Sequence, residues 1–208
     1  MSIFKLILII LGVCFAIISQ DTLYISLLIN VSLITVIYLN RHDVNIVSLC
    51  LIFLIVKITE EMLFTNFIVT SSETMSSLWV NTIIFSTHLI VDITLILMVM
   101  LRAPYTRGWL AARNKPIDKV RIYRAEVAFV SLFFVFMLVD LAALLENFIR
   151  HLDEIGFSKE IAEIFSGWNW IYYQYENIKS VLTGLSFLLI WSMTIAIGKE
   201  EYQAAEAS

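Results

Sequence analysis

LWVNTIIFSTHLIVDITLILMVML, residues 78–101, is long enough to cross a bilayer as one helix, which takes about 20 apolar residues. Asn81, His88 and Asp92 sit on it at spacings of seven and four, so the three share one helical face. A His and an Asp midway along a membrane helix are costly unless they meet other protein or water. The stretch therefore predicts a helix with one lipid side and one polar side, and the rest of the chain has to supply the polar side's partners.

The rest of the chain is of the same kind. Of its 208 residues 60% are hydrophobic and 15% charged, with a mean hydropathy of +0.86. A soluble domain is closer to half apolar and a quarter charged. Apolar runs at residues 3–19, 23–39, 44–69, 78–101, 125–149 and 170–197 predict six transmembrane helices in a single transmembrane domain. Lys5 ahead of an apolar run resembles a signal peptide, but the length of the run reads as an uncleaved first span. The expected fold is an all-α integral membrane protein in which spans three to six form a polar-cored four-helix bundle and spans one and two pack outside it. Phe157, Ile161, Ile164 and Phe165 oppose Lys159, Glu160 and Glu163, a short amphipathic helix at the membrane surface ahead of the sixth span. Trp168 and Trp170 follow as an interfacial aromatic belt. Cys14 and Cys50 lie in different spans without metal or redox spacing and read as packing residues.

Between Arg102 and Arg124 seven basic residues face one acid, Asp118. Placing this 102–124 loop in the cytoplasm puts Lys5, Arg41, Lys199 and the 198–208 tail on the same side. It leaves the Lys/Arg-poor turns 20–22 and 70–77, and the external loop 150–169, outside. Both termini are then cytoplasmic, and the expected location is a bacterial cytoplasmic (cell inner) membrane. The basic residues crowd that one loop, and no nucleic-acid footprint appears.

Orientation gathers the polar residues. Glu60 and Glu61 of the third span, Asn81, His88 and Asp92 of the fourth, Asp140 of the fifth, and Glu176 and Lys179 of the sixth all fall at mid-depth or in the outer half. They are the candidate ligand- or ion-binding residues. Spacing predicts local pairs: Lys57 with Glu60 or Glu61, Glu176 with Lys179, and His88 sharing a proton with Asp92. Tyr172, Glu176, Lys179 and Thr183 form the expected inner face of the sixth span; Asp140, Ala143 and Asn147 form that of the fifth. Glu126 sits in a first helical turn and is given only the helix dipole as partner.

These residues predict an outward-facing polar intramembrane cavity that binds or conducts a proton, cation or small polar ligand. The missing inverted repeat and the apolar inner stretch Leu185–Trp191 favour a pocket over a channel. The alternative is a non-catalytic accessory, assembly or immunity-type subunit that binds another membrane protein, or a homo-oligomer, through the amphipathic segment or the basic loop. An intramembrane metal-dependent or hydrolytic enzyme comes third. His88, Asp92, Glu60 and Asp140 are possible metal ligands, but the Glu-x-x-His pairs of di-iron bundles are absent. His42, His88 and His151 are expected at three different depths, which argues against a bis-His haem. Glu60-Glu61 with His88-x-x-x-Asp92 resembles part of the CAAX-type intramembrane glutamic endopeptidases. Thr65 stands where that family has Arg, Phe85 is misplaced, and no second intramembrane His is present, so the likeness stops at a handful of residues and supports no assignment.

Overall fold

The computed structural model describes residues 22–186 and 188–190. The expected first span (3–19), the inner end of the sixth (191–197) and the tail (198–208) lie outside the described residues. Every described element is helical. In order they are α1 (Thr22–Leu39), α2 (Val44–Asn66), α3 (Ser77–Ala111), α4 (Arg124–Arg150), α5 (Lys159–Phe165), a 3-10 turn (Tyr172–Gln174) and α6 (residues 175–186). Among the described residues two helices, Ser77–Ala111 and Glu126–Arg150, are long and apolar enough to cross a membrane.

Local chemistry sets the helix ends. Asp43, in extended geometry, caps α2: its carboxylate accepts from the backbone N–H of Asn45 at 2.8 Å and of Ile46 at 3.3 Å. Glu126 reaches back to the Tyr123 N–H at 2.9 Å and so fixes the start of α4. α3 runs ten residues beyond its expected end at Leu101, so the segment expected as loop 102–124 is helical as far as Ala111. Pro104 lies inside this extension. It removes the N–H bond to the preceding turn and its ring crowds the Met100 carbonyl, and the ladder on either side holds the helix.

α3 and α4 pack antiparallel along most of their length, and α2 packs against both α1 and α3. At one end of the α3–α4 pair, Asn147 Nδ2 donates to Leu78 O at 2.9 Å and Thr82 Oγ1 at 3.1 Å, while its Oδ1 accepts from Asn81 at 3.3 Å. His151 joins the same end through Ser77 Oγ at 3.0 Å. The buried core is largely apolar, but it also holds charged and amide side chains while large aliphatic residues lie on the surface. Asp140 is 0% and Asn147 1% exposed, whereas Ile90 is 63% and Val127 62% exposed.

Candidate functional site

Four helices deliver charged side chains to one region. α4 turns inward Phe129, Phe133, Phe136, Asp140, Ala143 and Asn147, spaced by three and four and all buried. Opposite them stand Lys57 and Glu60 of α2, His88 and Asp92 of α3, and Tyr175 and Lys179 of α6.

Lys179 Nζ donates to Asp92 Oδ2 and to Asp140 Oδ1, each at 2.7 Å. Tyr175 OH donates to the same Asp140 oxygen at 2.8 Å. The ammonium also lies 4.9 Å from the Phe136 ring centre and 5.6 Å from that of Tyr175, whose faces attract it further. Asp140 Oδ2 is buried with no hydrogen-bond partner among the described residues. A second set adjoins the first: Glu60 accepts from Lys57 Nζ at 2.7 Å and from His88 Nδ1 at 2.9 Å. An ionised carboxylate only accepts, so His88 carries a proton on Nδ1. The imidazole stacks on Phe64 with ring centres 4.4 Å apart, and the Tyr175 ring lies 6.0 Å away. Tyr175 thus touches both sets.

The charges are layered. Toward the Asn147 end, Phe85, Ala143 and Tyr175 cover them. Toward the other end lies an apolar layer that includes Phe53, Leu95, Val99, Phe129, Phe133 and Leu182. Its rings interlock, Phe53 with Phe129 at 5.0 Å and with Phe133 at 5.4 Å. A narrow cleft with a void of about 20 Å³ runs beside this layer; its lining is aliphatic and aromatic apart from Lys57, Thr183 and Ser186.

Beyond the apolar layer, roughly 15 Å along α3 from Asp92, comes a second buried ion pair. Arg102 donates to Glu126 through Nε at 2.9 Å and Nη2 at 2.7 Å, a two-point contact. Its Nη1 donates to Ser48 Oγ at 3.0 Å and Asn45 Oδ1 at 3.3 Å, and Nη2 also donates to Arg121 O. One guanidinium therefore ties together α2, α3, α4 and the segment before α4.

The chain matches no protein-family model, no curated protein and no solved structure. Its chemistry is read from its own geometry.

The structure brings together five of the eight candidate residues, Glu60, His88, Asp92, Asp140 and Lys179, with Lys57 beside them. Asn81 belongs to the Asn147 clasp instead. Glu61 and Glu176 are exposed. Glu61 accepts from Ser26 Oγ at 2.7 Å and points away from Glu60, because adjacent helical residues diverge by about 100°. That divergence separates the acidic pair on which the endopeptidase resemblance stood. Glu176 does not pair with Lys179. The buried face of α6 is Tyr175, Leu182 and Ser186, one position round from the expected Tyr172–Glu176–Thr183 face, and Lys179 is common to both. Nor do His88 and Asp92 pair with each other: each has a partner of opposite polarity on another helix, and both desolvated groups gain more from that. Lys57 does pair with Glu60, one turn along.

Two further expectations change. Glu126 holds a fully buried arginine as well as the α4 terminus. Arg102 is a buried helical residue, not the start of a loop. Tyr175, the residue shared by both charged sets, was missed; it sits four residues before Lys179, the spacing that could have revealed it. Among the described residues no group of three or more His, Cys, Asp and Glu is arranged to hold a metal ion. His88 and Glu60 fall in one set, Asp92 and Asp140 in the other, and the Lys179 ammonium stands where a cation between the two aspartates would have to sit.

Proposed function

We propose that the chain is a six-span integral membrane protein of a bacterial cytoplasmic membrane, with both termini inside. In this reading α2, α3, α4 and α6 form a polar-cored bundle whose Asp92–Asp140–Lys179 set, with Glu60, His88 and Lys57 beside it, binds a proton. Dimensions support the membrane reading. α3 has 35 residues, about 50 Å, and the exposed Trp79 and Trp109 lie 30 residues apart on it, about 45 Å. A bilayer with its headgroups measures about 40–45 Å, and tryptophans concentrate at its two faces. Trp168 and Trp170 are exposed near the Trp79 end, and the basic segment is at the Trp109 end.

The observation that carries the proton reading is one ammonium shared by two carboxylates, one of which keeps a buried oxygen without a partner among the described residues. Three acids face two lysines and one imidazole, so the whole set is one positive charge short of neutral when the acids are ionised and His88 is neutral. A proton makes up that charge without needing a cavity, whereas a hydrated cation would need one. The apolar layer beneath supports binding over conduction.

Infrared difference spectroscopy on protein in vesicles tests this. Moving from alkaline to mildly acidic buffer is expected to raise a protonated-carboxyl C=O band in the parent protein, and that band is expected to vanish in Asp140→Asn. A parent spectrum without such a band, or an unchanged band in Asp140→Asn and in Asp92→Asn, overturns the reading. In a separate flux assay the parent proteoliposomes should leak protons no faster than protein-free vesicles. A flux abolished by Asp140→Asn would mean that the apolar layer opens.

A second reading, an accessory or assembly subunit without a ligand, is favoured by the pairing of almost every buried charge. It expects the infrared band to be absent and a second membrane protein to be retained stoichiometrically in mild detergent.

A further inference from the structure

The end of α3 and the segment returning from it form a surface that the charged core does not use. Past Arg102 the helix continues to Ala111, and the chain folds back on it: Val120 packs against Ala103 and Leu110. Arg107 Nη2 donates to Val120 O at 2.9 Å. Asn45 accepts from the Arg121 N–H at 2.9 Å and donates to Lys119 O at 3.0 Å. The returning backbone is therefore pinned at residues 119–121, and its start is held by the Lys115 N–H on Leu110 O at 3.0 Å, so the segment that carries the cations lies against the end of α3.

Arg107, Arg113, Lys115, Lys119 and Arg121 are all exposed. None of the five forms an ion pair among the described residues. Asp118 is the one acid between Arg102 and Arg124. Trp109 is 50% exposed, with Arg113 Cζ 4.0 Å and Lys115 Nζ 5.9 Å from its ring centre. Tyr105, Ile117 and Ile122 are exposed in the same stretch. Exposed cations beside an exposed indole and aliphatic side chains suit the boundary where lipid phosphates meet acyl chains.

We propose that this basic–aromatic platform binds anionic phospholipid headgroups, with Arg113 and Lys115 around Trp109 at its centre. The proposal rests on the membrane reading above and adds a lipid preference to it. A zwitterionic headgroup carries the same phosphate, but its own cation is repelled by the platform, so preference should follow net lipid charge.

Native mass spectrometry of the full chain, released from neutral detergent micelles titrated with phosphatidylglycerol or phosphatidylcholine of identical acyl chains, tests it. The parent is expected to retain phosphatidylglycerol in preference to phosphatidylcholine. Each basic residue near an anionic surface is worth about fivefold in binding, so Arg113→Gln/Lys115→Gln/Lys119→Gln should lose on the order of 100-fold of that preference. These side chains are exposed, and the thermal midpoint in micelles should stay at the parent value, which separates lost binding from lost folding. Raising the salt concentration should weaken the preference in the parent and change little in the variant. Equal retention of the two lipids by the parent, or an undiminished preference in the variant, overturns the platform. A parent without lipid preference that instead binds a polyglutamate peptide overturns it in favour of an acidic protein partner. A chain that enters micelles but discriminates neither lipid refutes the platform alone; a chain that stays monomeric in detergent-free buffer refutes the membrane reading.

Discussion

Lys179→Met is expected to destabilise the protein by about 3–5 kcal/mol, the cost of leaving a buried charge without its partner. The lysine holds Asp92 and Asp140 together at 2.7 Å each. Without it two carboxylates face each other in a region lined by Phe136, Tyr175 and Phe85, and neither has another cation within ion-pair distance among the described residues. Asp140→Asn should cost much less, because the amide keeps an acceptor for Lys179 and Tyr175, and the ammonium still has Asp92. The decisive comparison is the triple variant Lys179→Met/Asp92→Asn/Asp140→Asn, which buries no charge in this set and should recover most of the loss. The check is equilibrium unfolding of purified variants in mixed micelles. A Lys179→Met protein within about 1 kcal/mol of the parent would mean that the ammonium is hydrated and the set is not buried as described.

Arg102→Met is the second large effect, again about 3–5 kcal/mol. It would orphan the Glu126 carboxylate and release Ser48 Oγ and Arg121 O at the same time. Glu126→Gln should cost about 1.5–3 kcal/mol, because the amide N–H that replaces one carboxylate oxygen cannot accept and one of the two charge-assisted bonds is lost. The two losses should not add, because both variants break one network. Hydrogen exchange supplies a second readout. The Arg121 amide, held by Asn45 Oδ1 at 2.9 Å, should exchange faster in Arg102→Met, since Asn45 loses the guanidinium that orients it. An unchanged exchange rate alongside a large stability loss would leave the ion pair as a helix clamp without a role in holding the basic segment.

Composition and periodicity made the helical class legible. The 78–101 stretch predicted α3, its polar stripe faces inward, and the spacing of Asp140, Ala143 and Asn147 marked the buried face of α4. Spacing also found Lys57–Glu60, because a pair one turn apart is written into the chain. Cross-helix partners are not. Lys179 bonds residues 87 and 39 positions away, and only the rotation and depth of α6 decide that Tyr175 turns inward while Glu176 turns out. Arg102 was hidden for a different reason. It opens the polar run and stands two residues before a proline, and both signals locally read as the end of a helix. Its burial depends on Glu126, 24 residues further on, and on Asn45 and Ser48 of α2.

Everything rests on helices that turn charge toward one another and hydrocarbon toward lipid. Spin labels placed singly at Ile90, Leu97, Leu138 and Asp92, in a background with Cys14 and Cys50 replaced by Ala, test this directly in vesicles. The expected result is high collision with dissolved oxygen and low collision with a water-soluble nickel complex at the three aliphatic sites, and little collision with either at Asp92. Ready access of the nickel complex to Ile90, Leu97 and Leu138 would contradict it, because those faces would then meet water.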